Sequence, residues 1–519
     1  MLTALLLCLP AAAATLDLTL RLDTVDPEAA WARLPFDVPE GTAELELRRL
    51  SATPGVVVDL GLVEPAGALR GWSGGNTEPA IVGVEAASRS YNAGPLPTGA
   101  WAVLIGLPGR PTGPVEVALQ IELREAPTLA PEPQRAPYAP PAPLRTGRAW
   151  YAGDLHVHSH QSGDADPDAT LDAVAVAARA GGLDFVLISD HNTDAHLQLL
   201  NDAQARHPDL LLLPGVEWTT HKGHALAPGV TSPPPFWVGF EGLRAEFAAD
   251  DVQAQGGLFA PAHPTLSLGP ACLGCAFEHS LPAQAIDALE VSTIDIDVVG
   301  TLLLDGGLRL WDQLSDQGRH VTPVGGSDDH AAGTSTGPFS SPVGRPRTLV
   351  EAEALSVEAI LAGMRAGRTM VQLGGEGDPL VILEAEGRVG DTVEAAEATV
   401  SATVEGGAGG ALEWWVDGEK VRTDAVDSDP WVGSYTLDAP DQGEARVRAM
   451  IVRDGLPRTL TSHIWLRLPA DSGAQQGKAE AGACGCSGGP SAGPLALILA
   501  LIPALRRRPR QTTPSRRDP

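Results

Sequence analysis

The chain is poor in cysteine, in cationic residues and in phenyl or phenol side chains, and it lacks an uninterrupted apolar run of comfortable membrane-spanning length. Its five cysteines among 519 residues are Cys8 and two close pairs, Cys272/Cys275 and Cys484/Cys486. A structural zinc site needs four ligands, and the C-x2-C of "GPACLGCAFEH" supplies half of one, with no second pair in the folded part. In an oxidising compartment a local Cys272–Cys275 disulfide pinning a loop is expected; a metal knuckle completed by Glu278 or His279 is the alternative. Cationic residues number 36 against 65 Asp and Glu, a formal charge of −29, and six of the 36 lie beyond Leu505. Such a field repels polyanions and argues against duplex nucleic acid as a partner. A small anion remains admissible where metals make a pocket locally positive. Nothing in "GVEWTTHKG" resembles a nucleophile elbow, so Ser–His–Asp chemistry is not indicated.

What is present is ordinary globular material, 43% hydrophobic with 58 Gly and 45 Pro, long enough for about three domains. "MLTALLLCLPAAAA" reads as a secretory signal over residues 1–14. Residues 15–125 alternate apolar and polar in short segments ("TLDLTLRL", "VEVALQIELR"), the pattern of an antiparallel β-sandwich. A Pro/Ala linker (126–147) follows and is expected to act as a semi-rigid spacer. Alternation returns over 376–470 ("ATVSATVEG", "LEWWVDGEKV"), a second small β-sandwich. There Trp414 and Trp415 must face opposite ways, one into the core and the other exposed or at a domain interface. After a linker at 471–483, residues 484–510 join "CGCSGG", the apolar "PLALILALIPAL" and "RRRPR". The tail, 511–519, reads as disordered. The apolar part is short of the roughly 20 residues that span easily, yet an arginine cluster directly behind it is stop-transfer-like. Together these features resemble the myxobacterial C-terminal sorting tag. They imply an exported protein, at the cell surface or outer envelope or secreted, with membrane association through the tag.

Between 148 and 375 the rhythm becomes helix, then apolar strand: "ATLDAVAVAARAGG" before "LDFVLIS", "EGLRAEFAADDVQAQGG" before "LFAPAH", "LPAQAIDA" before "LEVST", "LLDGGLRLWDQLSDQG" before "HVTPVGGSD". Such units suggest parallel strands in a barrel or an open sheet. Twelve of the 13 histidines fall between His156 and His330. His191, Glu217, His263, Asp328 and His330 all follow strand ends, which converge at one rim in a parallel barrel. His156 and His158, two apart, face one point. Any one of these histidines reads equally as an ordinary hydrogen-bonded residue; the recurrence does not. Imidazoles and carboxylates without thiolate suit zinc, manganese or iron.

"GDLHVHSHQSGD", "LISDHNT", "GVEWTTHKGHAL", "APAHP" and "GGSDDH" resemble, in order, the five motifs of the polymerase-and-histidinol-phosphatase (PHP) metallohydrolases. The closest fit is the branch of bacterial carbamate hydrolases of the CehA/McbA type, whose closing segment "AGRTMVQLG" resembles. The resemblance implies an α/β fold, a distorted seven-stranded (β/α) barrel, here flanked by the two sandwiches. It implies nine metal ligands: His156, His158, Asp164 (with Asp166 as competitor), His191, Glu217 as bridge, His224, His263, Asp328 and His330. Two or three divalent ions (Zn, Mn or Fe) are then expected. One grouping would be His156/His158/Asp328/Glu217, Glu217/His224/His263 and Asp164/His191/His330. Asp190 would orient a ligand from behind, and Asp329 would be solvated or cap a helix.

The function implied is a hydrolase using a hydroxide held between metals, with Glu217, Asp328 and His330 as its catalytic residues and a small-molecule ester as substrate. A phosphoester comes first, with Lys222, Arg345, Arg347 and His160 as substrate contacts; His221 shares that candidacy. A carboxyl ester or carbamate would favour apolar walls, and "PPPFWVGF" offers Phe236, Trp237 and Phe240 as a lid. A non-catalytic metal-containing surface binding protein is the remaining reading.

Overall fold

The computed structural model describes residues 14–469, apart from 27, 29, 270–271, 297 and 337–340 and the side chains of 298–299. The expected signal up to residue 13, the 471–483 linker, the C-terminal tag and the tail lie outside the described residues, while Ala14 already belongs to the first strand. Among those described, no helix is long and apolar enough to cross a membrane.

The N-terminal strands form two antiparallel four-stranded sheets. One runs Ala14–Leu22, Val115–Arg124, Glu44–Ala52, Ala80–Gly83; the other runs Trp31–Val38, Gly99–Gly106, Asp59–Val63, Leu69–Gly74. Alternation sets the faces: in Val115–Arg124 every second side chain is buried. Leu45, Leu47, Val117, Leu119 and Ile121 thereby meet Leu60, Leu62, Val103 and Ile105 in one core. The Pro/Ala segment lacks regular structure until the strand at Arg145, but it is docked rather than a free spacer. Thr128 and Leu129 donate N–H to Glu44, and Ala136 N–H donates to Gln198 O at 2.8 Å.

Strand Arg145–Val157 pairs in parallel with Phe185–Ile188, which pairs in parallel with Leu211–Leu213. Helix Leu171–Ala180 connects the first two. Thr170 caps it by accepting from Ala173 N–H at 3.2 Å, Asp172 and Arg179 stand at the ends that suit their charge, and Gly181–Gly182 stops it. The expectation of uniformly parallel strands then fails. Gly215–Thr220, Gly223–Pro228 and Ala260–Pro261 are an antiparallel set, because the Thr220-His221-Lys222-Gly223 turn is too short for a crossover. Ala288–Thr293 and Thr322–Gly326 resume parallel pairing around helix Val298–Ser315. "LPAQAIDA" forms only a 3-10 turn, Ala283–Ala285, instead of a helix. Two single parallel bridges, His191 with Glu217 and Val157 with Asp329, link the strand groups at the end where the histidines lie. The result is a mixed α/β core flanked by smaller antiparallel sheets.

The core sheet does not stop at the 375/376 boundary. Arg347–Leu355 lies antiparallel to Arg145–Val157, then come Thr369–Gln372, Leu456–Thr461, Ala445–Arg453, Ala411–Val416 and Glu419–Ala425 without a break. A three-stranded sheet, Leu380–Glu384, Glu397–Glu405 and Trp431–Asp438, covers its far end. Trp414 is fully buried between these layers, while Trp415 faces back against the central core. At that junction the buried Arg448 guanidinium stacks between Trp311 and Trp415, 5.0 and 5.2 Å from the ring centroids, and forks onto Asp312. Removing Asp312 leaves a buried cation without its partner. Asp312→Ala should therefore cost about 3–5 kcal/mol, read as a lower urea midpoint for the transition that includes Trp311.

Candidate metal centre

Glu217, fully buried at the middle of the Gly215–Thr220 strand, is the hub. Its Oε1 accepts from His224 Nδ1 at 3.0 Å and His263 Nε2 at 3.2 Å. Its Oε2 faces His156 Nε2 at 3.2 Å, His158 Nε2 at 3.3 Å and His191 Nδ1 at 2.9 Å. Each approach has a local cause. His156 and His158 leave the end of one strand with the same facing. His224 sits beside Thr219 in the hairpin register, and the His191–Glu217 bridge brings the second strand end alongside. Asp328 Oδ1 closes the first group, 3.2 Å from His156 Nε2 and 3.3 Å from His158 Nε2. Gly326 permits this approach: an added Cβ would stand 2.5 Å from the His156 Cβ. Asp328 and His263 both hold positive φ, 57° and 29°, backbone positions that neighbours must enforce. Asp164 Oδ2 lies 3.3 Å from His191 Nε2 and 3.5 Å from His330 Nε2.

The chemistry of these donors fits divalent ions. In the quartet His156/His158/Glu217/Asp328 and the trios His191/Glu217/His224 and His158/His191/His330, all ligand atoms lie within 4.8 Å of one another. His156 Nε2, His158 Nε2, His224 Nε2 and Glu217 Oε2 are buried without a hydrogen bond, a costly arrangement that a shared cation would satisfy. The Cys275 sulfur lies near His224 and His263, but it is joined to Cys272 in a disulfide with Cα atoms 5.6 Å apart. It is not a thiolate ligand, and the set remains imidazole and carboxylate.

Electrostatics follow the same geometry. Burial opposes charge on Glu217, yet His191, His156 and His224 hold its carboxyl well below the usual range. Burial likewise opposes protonation of His156, but Asp328, Glu290 and Glu217 raise it. His330, enclosed but facing Asp164, is raised to about 9, whereas burial pushes His224 down to about 4.

Supporting residues lie behind the cluster. Glu290 receives His156 Nδ1 at 3.1 Å and the His263 N–H at 2.6 Å, which turns His156 Nε2 toward Glu217. Sequence reasoning passed over it, although it is the one charged residue in the wholly buried Ala288–Thr293 strand. Asp190 supports the chain beyond His158 rather than His191: it accepts from Ser159 N and Oγ, both at 2.7 Å, and pairs with His196 at 3.0 Å. Asp154 accepts from His156 N and Ser327 N, both at 3.0 Å, tying together the strands that present His156 and Asp328. Asp329 is buried rather than solvated and accepts from Ala331 N and Gly333 N, a turn cap. Asp166 is exposed and caps Asp168 N at 2.8 Å.

A cavity of about 370 Å³ opens onto the cluster, lined by Asp164, His191, His224, His263, Asp328 and His330. Its opposite wall comes from the N-terminal sheets and nearby turns: Trp31, Val57, Asp59, Trp72 and Pro108, with Leu273 of the disulfide loop. His221 lines it too, stacked on Trp31 with centroids 4.3 Å apart. The expected cationic contacts are elsewhere. Lys222 pairs with Glu28, and Arg345 points to Asp295 at 3.9 Å. Arg347 is held by Gln372 Oε1 at 2.7 Å and by the carbonyls of Gly181 and Gly182. His160 bonds Gln161 at 2.8 Å. None of the four lines the cavity, since each is spent on a structural partner. Of the residues expected from "PPPFWVGF" as a lid, Phe236, Trp237 and Phe240, none lines the cavity; Phe236 is fully buried, packed edge-on to Trp31 and Trp72. His279 is taken by Thr220 Oγ1 at 2.7 Å, so no Cys–His knuckle forms.

No family model matches the chain, and no curated protein does. Among solved structures, it is similar to a two-domain protein from Bacteroides vulgatus containing a predicted PHP-like metal-dependent phosphoesterase. That match has 18% identity and a TM-score of 0.36, covering 64% of this chain and 99% of that one. It is also similar to a lesion-specific endonuclease Q from Pyrococcus furiosus at 17% identity and a TM-score of 0.30, covering 42% and 56%. What stands is the geometry, a set of buried His, Asp and Glu clusters able to coordinate divalent metal.

Two outcomes test it. Glu290→Gln should weaken metal affinity about 10–100-fold, measured by chelator competition. The raised His330 pKa adds stability to the metal-free protein below its unfolded value of 6.5, and this is lost as pH rises through about 9. The chelator-treated protein should therefore melt lower at pH 9 than at 6.5, while metal uptake, which displaces those protons, tightens over the same window.

Proposed function

We propose that the protein is a metal-dependent hydrolase acting on a small-molecule ester, with a phosphoester as the first substrate class. The observation carrying this is Glu217, whose two carboxylate oxygens each meet a separate set of imidazoles. The ordered motifs resembling PHP metallohydrolases agree with it, as does reading the ring of strand groups as a distorted barrel with the cluster at its mouth. When bound, divalent ions there would lower the pKa of water and offset charge on a departing oxygen.

The chain's own residues supply the rest. Glu217 holds the two histidine sets in register. Asp328, the member of the first quartet that lines the cavity, is placed to take a proton from water entering there. His330, beside Asp164, stands at the open side of the cluster where a leaving group would depart. Trp31 and Trp72 close the opposite wall against bulk water. In this reading the ligands are the nine residues from His156 to His330 named above, holding two or three ions.

A second reading, hydrolysis of a carboxyl ester or carbamate, is favoured by one observation. No Lys or Arg lines the cavity among the described residues, and Val57, Trp72, Pro108 and Leu273 make its wall largely apolar. A phosphate would depend on the metal ions alone for positive charge. The Cys272–Cys275 disulfide suits an exported protein, in keeping with the proposed signal and surface tag.

Metal content by emission spectroscopy, with turnover of p-nitrophenyl phosphate, bis-p-nitrophenyl phosphate and p-nitrophenyl acetate, tests both readings. At least two bound metals and preferential phosphate release are expected; preferential acetate release selects the second reading. Glu217→Ala should bring turnover to background with loss of metal. Full turnover in that variant would end the proposal.

A further inference from the structure

The loop that carries Asp164 is not held by the central strands alone. Arg89, from the N-terminal unit, donates from Nη2 to Gly163 O at 2.8 Å and from Nη1 to Ala165 O at 3.0 Å. One guanidinium thus grips the carbonyls on both sides of Asp164. The next residue adds to the hold: Ser90 N–H donates to Gln161 Oε1 at 2.8 Å, and Ser90 Oγ–H to Gln161 O at 2.7 Å. Ser90 is fully buried at φ 72°, a left-handed position that such bonds must maintain. Its carbonyl accepts from Thr193 Oγ1 at 2.9 Å, joining it to the segment just beyond His191. Gly163 rests so closely on Ser73 that any side chain there would collide with the Ser73 carbonyl oxygen. On the outer side, the Glu78 carboxylate lies 3.2 Å from Arg89 Nε and adds an opposite charge beside the guanidinium.

Within the loop, Ser162 Oγ–H donates to Asp164 Oδ1 at 3.0 Å, which leaves Oδ2 directed to His191 and His330. Asp164 itself stands exposed in the cavity, held through its carboxylate by Ser162, His191 and His330. A ligand in that situation depends on the rigidity of its backbone, and a site loosened by even an ångström loses affinity.

We infer that Arg89 is a positioning residue of the metal centre: by clamping the Gly163 and Ala165 carbonyls it sets Asp164 opposite His191 and His330, making the N-terminal sheets a working part of that site. The inference rests on the metal-centre reading above. Guanidinium is the fitting group because its planar fork addresses two acceptors at once, where an ammonium is a single point charge.

The test uses the full chain with Arg89→Met and Arg89→Lys. Cobalt or manganese titrated against a competing chelator should show one metal equivalent weakened about 10–100-fold in Arg89→Met. The remaining equivalents should be unchanged, Arg89→Lys should be intermediate, and the cobalt absorption bands of the affected equivalent should shift. In chelator-treated protein, amide exchange over residues 161–166 should be faster in Arg89→Met than in the wild type. Should Arg89→Met fail to fold, Arg89→Lys carries the same comparisons. Identical metal affinities and identical exchange in variant and wild type would overturn the inference. A wild-type chain that takes up no metal would remove the metal reading and the inference with it, while faster loop exchange would still identify the clamp. Faster exchange with unaltered metal binding would overturn the role in metal binding and leave the reading intact.

Discussion

A buried carboxylate must have partners, and Glu217 has five imidazoles within 3.3 Å. An anion enclosed in protein costs several kcal/mol unless neighbouring charge or hydrogen bonds compensate. Here the compensation comes from residues on several different strands, so satisfying one side chain dictates how those strands meet. The antiparallel hairpin 215–228 and the bridge at His191 bring imidazoles to that carboxylate, while the bridge at Val157 and the close approach at Gly326 bring Asp328 alongside. Function and fold share the same constraint.

Rigid support surrounds the hub. Glu290, Asp190 and Asp154 are each buried, and each accepts from backbone N–H next to or within the presenting strands. These acceptors hold the backbone from which the histidines project, while His156, His158 and His224 keep an unbonded Nε2 within the cluster. A centre whose open nitrogens and oxygens converge is preorganised for cations and needs no large rearrangement to receive them.

The flanking sheets are tied to this arrangement from both sides. The C-terminal strands extend the central sheet through the Thr369–Gln372 and Leu456–Thr461 pairing, and Arg448 with Asp312 and Trp311 seals the junction. The N-terminal sheets press on the mouth of the cluster, with Trp31 and Trp72 closing the cavity wall and Ser73, Arg89 and Ser90 against the Asp164 loop. The N-terminal sheets therefore share in the wall of the site, and the C-terminal strands share the central sheet.

How much was legible beforehand depended on range. Local periodicity alone pointed to helices within 169–182, 241–257 and 303–318, where the structure has them at 171–180, 245–254 and 298–315, because a 3.6-residue or two-residue repeat needs no distant partner. The density of histidine at strand ends announced cation chemistry, since few other roles concentrate imidazoles so closely. Which cationic residues touch the cavity was not legible: Lys222, Arg345 and Arg347 sit near the right motifs, but each finds a nearer structural partner that only the folded chain supplies. Glu290 could have been suspected as an acid inside a buried strand. The roles of Trp72 and Arg89 could not, because they lie on another unit and reach the site through contacts more than 70 residues apart. By itself the chain determined its periodic elements and its store of ligands, both properties of neighbours in sequence. Tertiary structure decided the antiparallel hairpin, the continuous sheet and the borrowed wall of the cavity, because pairing and packing between distant segments are settled only when all of them compete for the same core.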